Sequence, residues 1–159
     1  MFMSQTERIE LQEAFEMQTQ AGFLITQIKQ IGGRVFEKIL QKENIREFNG
    51  AQGKILYVLW QKDHISIIEL SRQTGLANTT LTSMLDRMEA AGLLQRLPDP
   101  KDRRKNLIAL TEKAARLQES YDKVSEKMHK VYFKDFSTEE ILVFEGYLRR
   151  VLANVKEEL

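Results

Sequence analysis

Residues 93–110 read LLQRLPDPKDRRKNLIAL, and this stretch decides the fold. Leu93-Leu94-Gln95-Arg96-Leu97 and Asn106-Leu107-Ile108-Ala109-Leu110 are short apolar-rich runs of strand type. Between them stands Pro98-Asp99-Pro100-Lys101-Asp102-Arg103-Arg104-Lys105. Both prolines of the chain fall in this loop, which they stiffen and keep out of helix. The expectation is a stiff, basic hairpin.

What precedes the hairpin says which kind it is. Ser66-Ile67-Ile68-Glu69 has the spacing of a capping box and opens a short helix ending near Thr74, with Gly75 placed to stop it. A longer helix runs from about Asn78 to Ala91, with Leu81, Leu85 and Met88 on one side and Gly92 as its stop. Further upstream, Asn49 caps a helix through Ile55, Leu56, Val58 and Leu59. Two short helices joined by a Gly-containing turn form a helix-turn-helix. A rigid basic hairpin directly after one is a wing.

The flanks keep a helical rhythm. Leu24, Ile28, Ile31 and Val35 recur at steps of three and four, continued by Phe36 and Ile39 or Leu40. Leu117, Tyr121, Val124, Met128 and Val131 do the same, as do Ile141, Phe144, Leu148, Val151, Val155 and Leu159. Such stripes mark long amphipathic helices. Ser137-Thr138-Glu139-Glu140 is a capping box for the last of them. No repeat, low-complexity tract or linker intervenes, so the flanks are expected in the same folding unit. The fold class is mainly α with a small β-hairpin wing, with the winged helix-turn-helix at 49–111 and helical regions at 7–46 and 112–159.

Composition narrows the function. With 159 residues and 42% hydrophobic content the chain suits one domain with a core. A formal net charge of +1 argues against indiscriminate, tail-driven nucleic-acid binding. The balance is an average over unlike parts. Residues 78–116 carry eight Lys and Arg against five Asp and Glu, whereas residues 135–159 carry three against six. The absence of Cys excludes a thiol nucleophile, a cysteine redox sensor and any Cys-based zinc site. No stretch approaches the roughly 20 apolar residues of a membrane span, and no signal peptide is seen, so a cytoplasmic location is expected.

On the second helix of the helix-turn-helix the outward residues are Asn78, Thr79, Thr82, Ser83, Asp86 and Arg87, with Thr80 at the boundary. Asn can bond adenine in bidentate fashion, Thr methyls can touch thymine, and hydroxyls can reach bases or phosphates. A merely solvated helix face would look similar, and the adjoining wing favours the nucleic-acid reading. Lys101, Arg103, Arg104 and Lys105 gather in that wing with Asp102 among them. One Arg can enter the narrow, electronegative minor groove while its neighbours hold phosphates. An Asp two residues before that Arg can pair with its guanidinium and hold its stem in place.

The run Leu81 to Arg104, closing with Ile108-Ala109-Leu110-Thr111, resembles the MarR family of winged-helix transcriptional regulators. The wing is similar to the family's Asp-x-Arg motif, with a Leu-Thr pair ending the second strand, so Asp102 and Arg104 take the motif positions. The resemblance implies that Arg104 reads the minor groove and Asp102 organises it. The layout of one long N-terminal helix, a central winged domain and two long C-terminal helices also matches. Two departures bear on base preference. Ser83 stands where many members carry Arg, and Ala77 stands where an acidic or Ser cap often precedes the recognition helix, leaving Asn78 to shift its start by one residue.

The flanking seams exceed what a winged domain of about 60 residues can cover. The family implies that they interdigitate into a two-fold homodimer on double-stranded DNA, with a pseudo-palindromic operator. It also implies a small aromatic or phenolic effector in a cleft between the dimer helices and the winged domain, for which Phe36, Tyr57 and Trp60 are candidates, although a core role, which needs no ligand, is the favoured reading of all three. An enzyme is not expected: there is no Ser-His-Asp elbow, no Gly-rich phosphate loop and no paired His spaced for a metal. His64 and His129 read as lone surface or boundary residues, and no cofactor is expected. The expectation is an effector-responsive repressor. The alternative is a dimeric helical scaffold or adaptor of the same fold that no longer reads DNA.

Overall fold

The structure, a computed structural model, describes residues 2–159, leaving aside the side chains of residues 14–19. Those side chains, within the expected helical segment 7–46, lie outside the described residues. The chain forms two compact units, one ending at Val124 and the other running Ser125–Leu159.

In the first unit α1 (Gln5–Lys42) is opened by a complete capping box between Ser4 and Glu7. A second box, Asn49 with Gln52, opens α2 (Gly50–Gln61). Glu37 on α1 adds to it: its Oε1 accepts the Gly50 amide at 2.6 Å, placing a carboxylate on the positive end of α2. β1 (Ile65–Ser66) leads into α3 (Ile67–Thr74), which ends at Gly75 with φ of 74°. Then come α4 (Asn78–Ala90), β2 (Leu94–Pro98), β3 (Asn106–Leu110), the short α5 (Glu112–Arg116) and α6 (Gln118–Tyr132), which runs on past Val124.

The strands form one antiparallel sheet in the order β1-β3-β2, with Ile65 opposite Ile108 and Leu94 opposite Leu110. The core of this unit is built from Leu40, Phe48, Ile55, Leu56, Leu59, Leu70, Leu81, Leu85, Met88, Leu93, Ile108 and Val124, all buried. Each such Leu or Ile contributes about 1.5–3 kcal/mol by leaving water. The three residues expected on the inner side of α4 are therefore its buried ones.

Four expectations are corrected in detail. Ser66 caps α3 through the Glu69 amide, but the reciprocal half of the box is missing. Glu69 instead accepts from Arg72 at 2.7 Å and Gln73 at 2.9 Å. β2 begins at Leu94, one residue late, because the Leu93 amide closes the end of α4 by bonding to Met88 O while Gly92 sits at φ of 73°. Pro98 belongs to β2 rather than the loop, which its missing N–H allows because β2 is an edge strand. Finally, Asn78 does not shift the start of α4: Ala77 is the N-cap, with extended φ and ψ of −64° and 147° and no side-chain cap bond.

The last correction yields an expected result. Ala77 already has N-cap backbone geometry, so Ala77→Ser places a hydroxyl where it can accept the Thr80 amide. Thermal or urea unfolding should show stabilisation of about 0.5–2 kcal/mol; an unchanged or lowered stability would contradict the uncapped start.

In the second unit α7 (Thr138–Lys156) starts at the complete Ser137–Glu140 capping box. Phe133 gathers Phe136, Phe144 and His129 at ring-centroid distances of 5.8, 6.2 and 4.9 Å. No residue of α7 is buried. Phe144, Leu148, Val151 and Val155 stand 39, 40, 46 and 58% exposed. In the first unit, Leu24, Ile28 and Ile31 of α1 are likewise about half exposed.

Candidate nucleic-acid interface

The buried side of α4 dictates what its other side presents. With Leu81, Leu85 and Met88 turned inward, Asn78, Thr79, Thr80, Thr82, Ser83, Asp86 and Arg87 are all exposed. Seven polar side chains on an N-terminal and outer face leave hydroxyl, amide and guanidinium groups free to meet base edges. Arg87 is not loose: its Nη2 donates to Ser83 Oγ at 3.2 Å, one turn back.

The wing tip is a chain of local hydrogen bonds. Asp99 accepts the Lys101 amide at 2.8 Å and donates its own amide to Lys105 O at 2.9 Å; the Lys105 amide returns to Asp102 O at 3.0 Å. Within this turn Asp102 Oδ1 accepts both the backbone amide and Nε of Arg104, each at 3.1 Å. The Arg104 side chain is 91% exposed, whereas Asp102 is 28% exposed. The geometry thus anchors the stem of Arg104 and leaves its guanidinium in solvent, with Lys101, Arg103 and Lys105 exposed around it.

The Arg104 hydrogen bond, joined by the Arg104 amide and the Lys105 charge, holds the Asp102 carboxyl below its ordinary range. A lowered carboxyl pKa means that the contact is present at neutral pH. It is lost only as pH falls through that lowered value.

Arg96 is the residue that sequence reasoning passed over. It bridges β2 to α4 by donating from Nη2 to Asp86 Oδ1 at 2.7 Å, with Nη1 3.2 Å from Glu89 Oε1. Asp86, expected among the outward residues, is exposed and engaged by Arg96. Two carboxylates three apart on α4, followed by an Arg in the next strand, were the available signal. Two further ties join the end of α4 to α5. Lys113 Nζ donates to Ala91 O at 3.1 Å and Thr111 Oγ1 to Gly92 O at 2.7 Å, a cation and a hydroxyl on the negative end of the helix.

The three aromatic candidates are dispersed around Tyr121. Phe36 and Trp60 are half-buried against the core, 6.1 and 5.1 Å from the Tyr121 ring. Trp60 Nε1 donates to Ala114 O at 3.1 Å. Tyr57 alone of the three lines a cavity of about 410 Å³, with Lys54, Val58, Ile65, Glu69 and Tyr121. His64 is exposed beside Asp63, and His129 stacks on Phe133. Among the described residues no three His, Asp or Glu come together to hold a metal ion, and no helix is long and apolar enough to cross a membrane.

A helix-turn-helix with an exposed polar second helix, followed by a hairpin that carries four cations and joins a three-stranded sheet, defines the winged-helix class of DNA-binding proteins. A family profile described as MarR family matches residues 48–105. The multiple antibiotic resistance protein MarR of Escherichia coli K12 is 30% identical over 132 residues, 82% of this chain and 90% of that protein. The organic hydroperoxide resistance transcriptional regulator of Bacillus subtilis 168 is 33% identical over 104 residues, 65% of this chain and 69% of that one. A crystal structure of a cysteine-to-serine mutant of Escherichia coli MarR, complexed with operator DNA, superimposes with a TM-score of 0.76 at 29% identity, covering 87% of this chain and 97% of the other. The chain belongs to the MarR family: it is a winged helix-turn-helix, DNA-binding transcriptional regulator.

Proposed function

We propose that this regulator acts in the cytoplasm as a homodimeric repressor on a pseudo-palindromic operator. Residues 49–111 form the reading region, and 7–46 and 112–159 the dimerisation region. α4 enters the major groove with Asn78, Thr79, Thr80, Thr82, Ser83 and Arg87 toward bases and phosphates. Arg104 enters the adjacent minor groove, braced by Asp102, while Lys101, Arg103 and Lys105 hold phosphates. The observation that carries this is the Asp102–Arg104 clasp, which orders the stem of a guanidinium and leaves the side chain 91% exposed. Ordering a charged side chain in water has an entropic cost that a waiting DNA contact explains.

The half-exposed apolar seams of α1 and α7 support the dimer. The operator complex of the Escherichia coli relative supports DNA as the partner. The relatives are named as transcriptional regulators, and no step of this mechanism is catalytic. The cavity beside Tyr57 and Tyr121 supports a small aromatic or phenolic effector. Such a ligand works by preferring a spacing of the two reading heads that does not fit successive major grooves.

The phosphate-holding role is tested by salt. Lys101→Ala and Lys105→Ala should each weaken binding to specific and unrelated duplexes by a similar factor. Each should also reduce the slope of log K against log salt by about one per lost contact. A loss confined to one sequence with an unchanged slope would make that lysine a base reader and refute the assignment.

A further inference from the structure

Arg96, on β2 and outside the residues assigned to base or phosphate contact, grips α4 at three points. Nη2 donates to Asp86 Oδ1 at 2.7 Å, Nη1 stands 3.2 Å from Glu89 Oε1, and the backbone amide donates to Glu89 Oε2 at 3.1 Å. The guanidinium is the most sheltered partner, 20% exposed against 65% for Asp86 and 43% for Glu89. A planar fork held by two acceptors fixes orientation as well as distance, which a point-like ammonium does not. Only residues 91–93 connect α4 to β2, and β2 pairs with β3 from Leu94 out to Pro98. A tilt of β2 against α4 is therefore carried along the hairpin to the wing tip.

We propose that Arg96 is a positioning residue for DNA reading: its fork to Asp86 and Glu89 sets the angle between recognition helix and wing, so that α4 and Arg104 engage neighbouring grooves together. The fork has a second effect. Asp86 lies on the outward face of α4, where an unpaired carboxylate would repel phosphates, and the guanidinium neutralises it. This inference rests on Arg104 being a DNA reader.

A double-mutant cycle on the full chain separates the two. Arg96→Met keeps the stem and removes the fork. Affinity for a duplex selected from random DNA is measured by fluorescence anisotropy for the parent, Arg96→Met, Arg104→Ala and the double variant. In the parent, Arg104→Ala should cost about 5- to 150-fold. In the Arg96→Met background the same change should cost about twofold or less, because the wing no longer delivers Arg104 to its groove. Arg96→Lys should recover little of the coupling. Asp86→Ala with Glu89→Ala removes the fork from the other side and should uncouple Arg104 in the same way, which keeps the test open if Arg96→Met folds poorly. If Arg104→Ala costs the same factor in every background, Arg96 has only a stabilising role and the proposal fails. If Arg104→Ala is silent in the parent, the wing role falls first and this inference with it.

Discussion

Replacing Arg104 by alanine should lower operator affinity by about 1–3 kcal/mol, roughly 5- to 150-fold, without changing the oligomeric state or the melting temperature. The size follows from where the residue stands. Its side chain is 91% exposed and pairs with Asp102, two residues away, so removing it opens no cavity and unseats no core residue. What is lost is a charge that the DNA alone would desolvate, in a groove whose negative potential is concentrated by its narrowness. Asp102→Asn should cause a smaller loss than Arg104→Ala, since it keeps the cation and loosens only its stem. The parent-to-Asp102→Asn ratio of affinities should stay constant from pH 8 to 5, because the clasp keeps Asp102 ionised below the ordinary carboxylate range. Anisotropy titrations at fixed salt check both. A larger loss for Asp102→Asn, or a ratio that drifts in that window, would contradict the clasp.

A charge placed in the α7 seam should have the largest effect of all. Leu148→Asp is expected to shift the protein to monomer in sedimentation or light scattering and to weaken operator binding by about 10²–10⁴-fold, the advantage of two linked half-sites over one. Leu148 is 40% exposed in the single chain and lies midway along a row from Phe144 to Val155 in which no residue is buried. In the proposed dimer that row is desolvated, and burying a carboxylate in it costs several kcal/mol. Each protomer should keep its helical circular dichroism and its weak binding to unrelated duplex. A Leu148→Asp protein that remains dimeric, or that binds as a monomer with parental affinity, would place the interface elsewhere.

The parts of the molecule legible in the sequence are those set by short-range chemistry. Ser137 with Glu140, Asn49 as a cap, Gly75 and Gly92 as stops, and the Asp102–Arg104 pair all act within a few residues, and each stands in the structure as spacing implied. Where two short-range options competed, spacing could not choose. Ser66-x-x-Glu69 fits a capping box, but Glu69 also fits Arg72 and Gln73 one turn on, and the charged and amide donors hold it.

Longer-range geometry was out of reach. That Arg96 folds back onto Asp86 and Glu89 depends on the turn closed by Leu93. That Tyr121 lies 6.0 Å from Tyr57, while Phe36 and Trp60 are drawn into the core, depends on how α6 passes α2. The apolar stripes announced helices without saying what covers them. In α7 the contact with Phe133 covers part of Phe144, yet none of the helix's residues is buried.

The central claim is that this chain reads a specific duplex as a two-fold pair of winged domains. Selection from random double-stranded DNA at near-physiological salt tests it most directly. The expected result is an enriched pseudo-palindrome with half-sites about one helical turn apart and one dimer bound per site. Uniform recovery without a consensus would contradict it and leave a helical adaptor that has kept the winged fold without reading DNA.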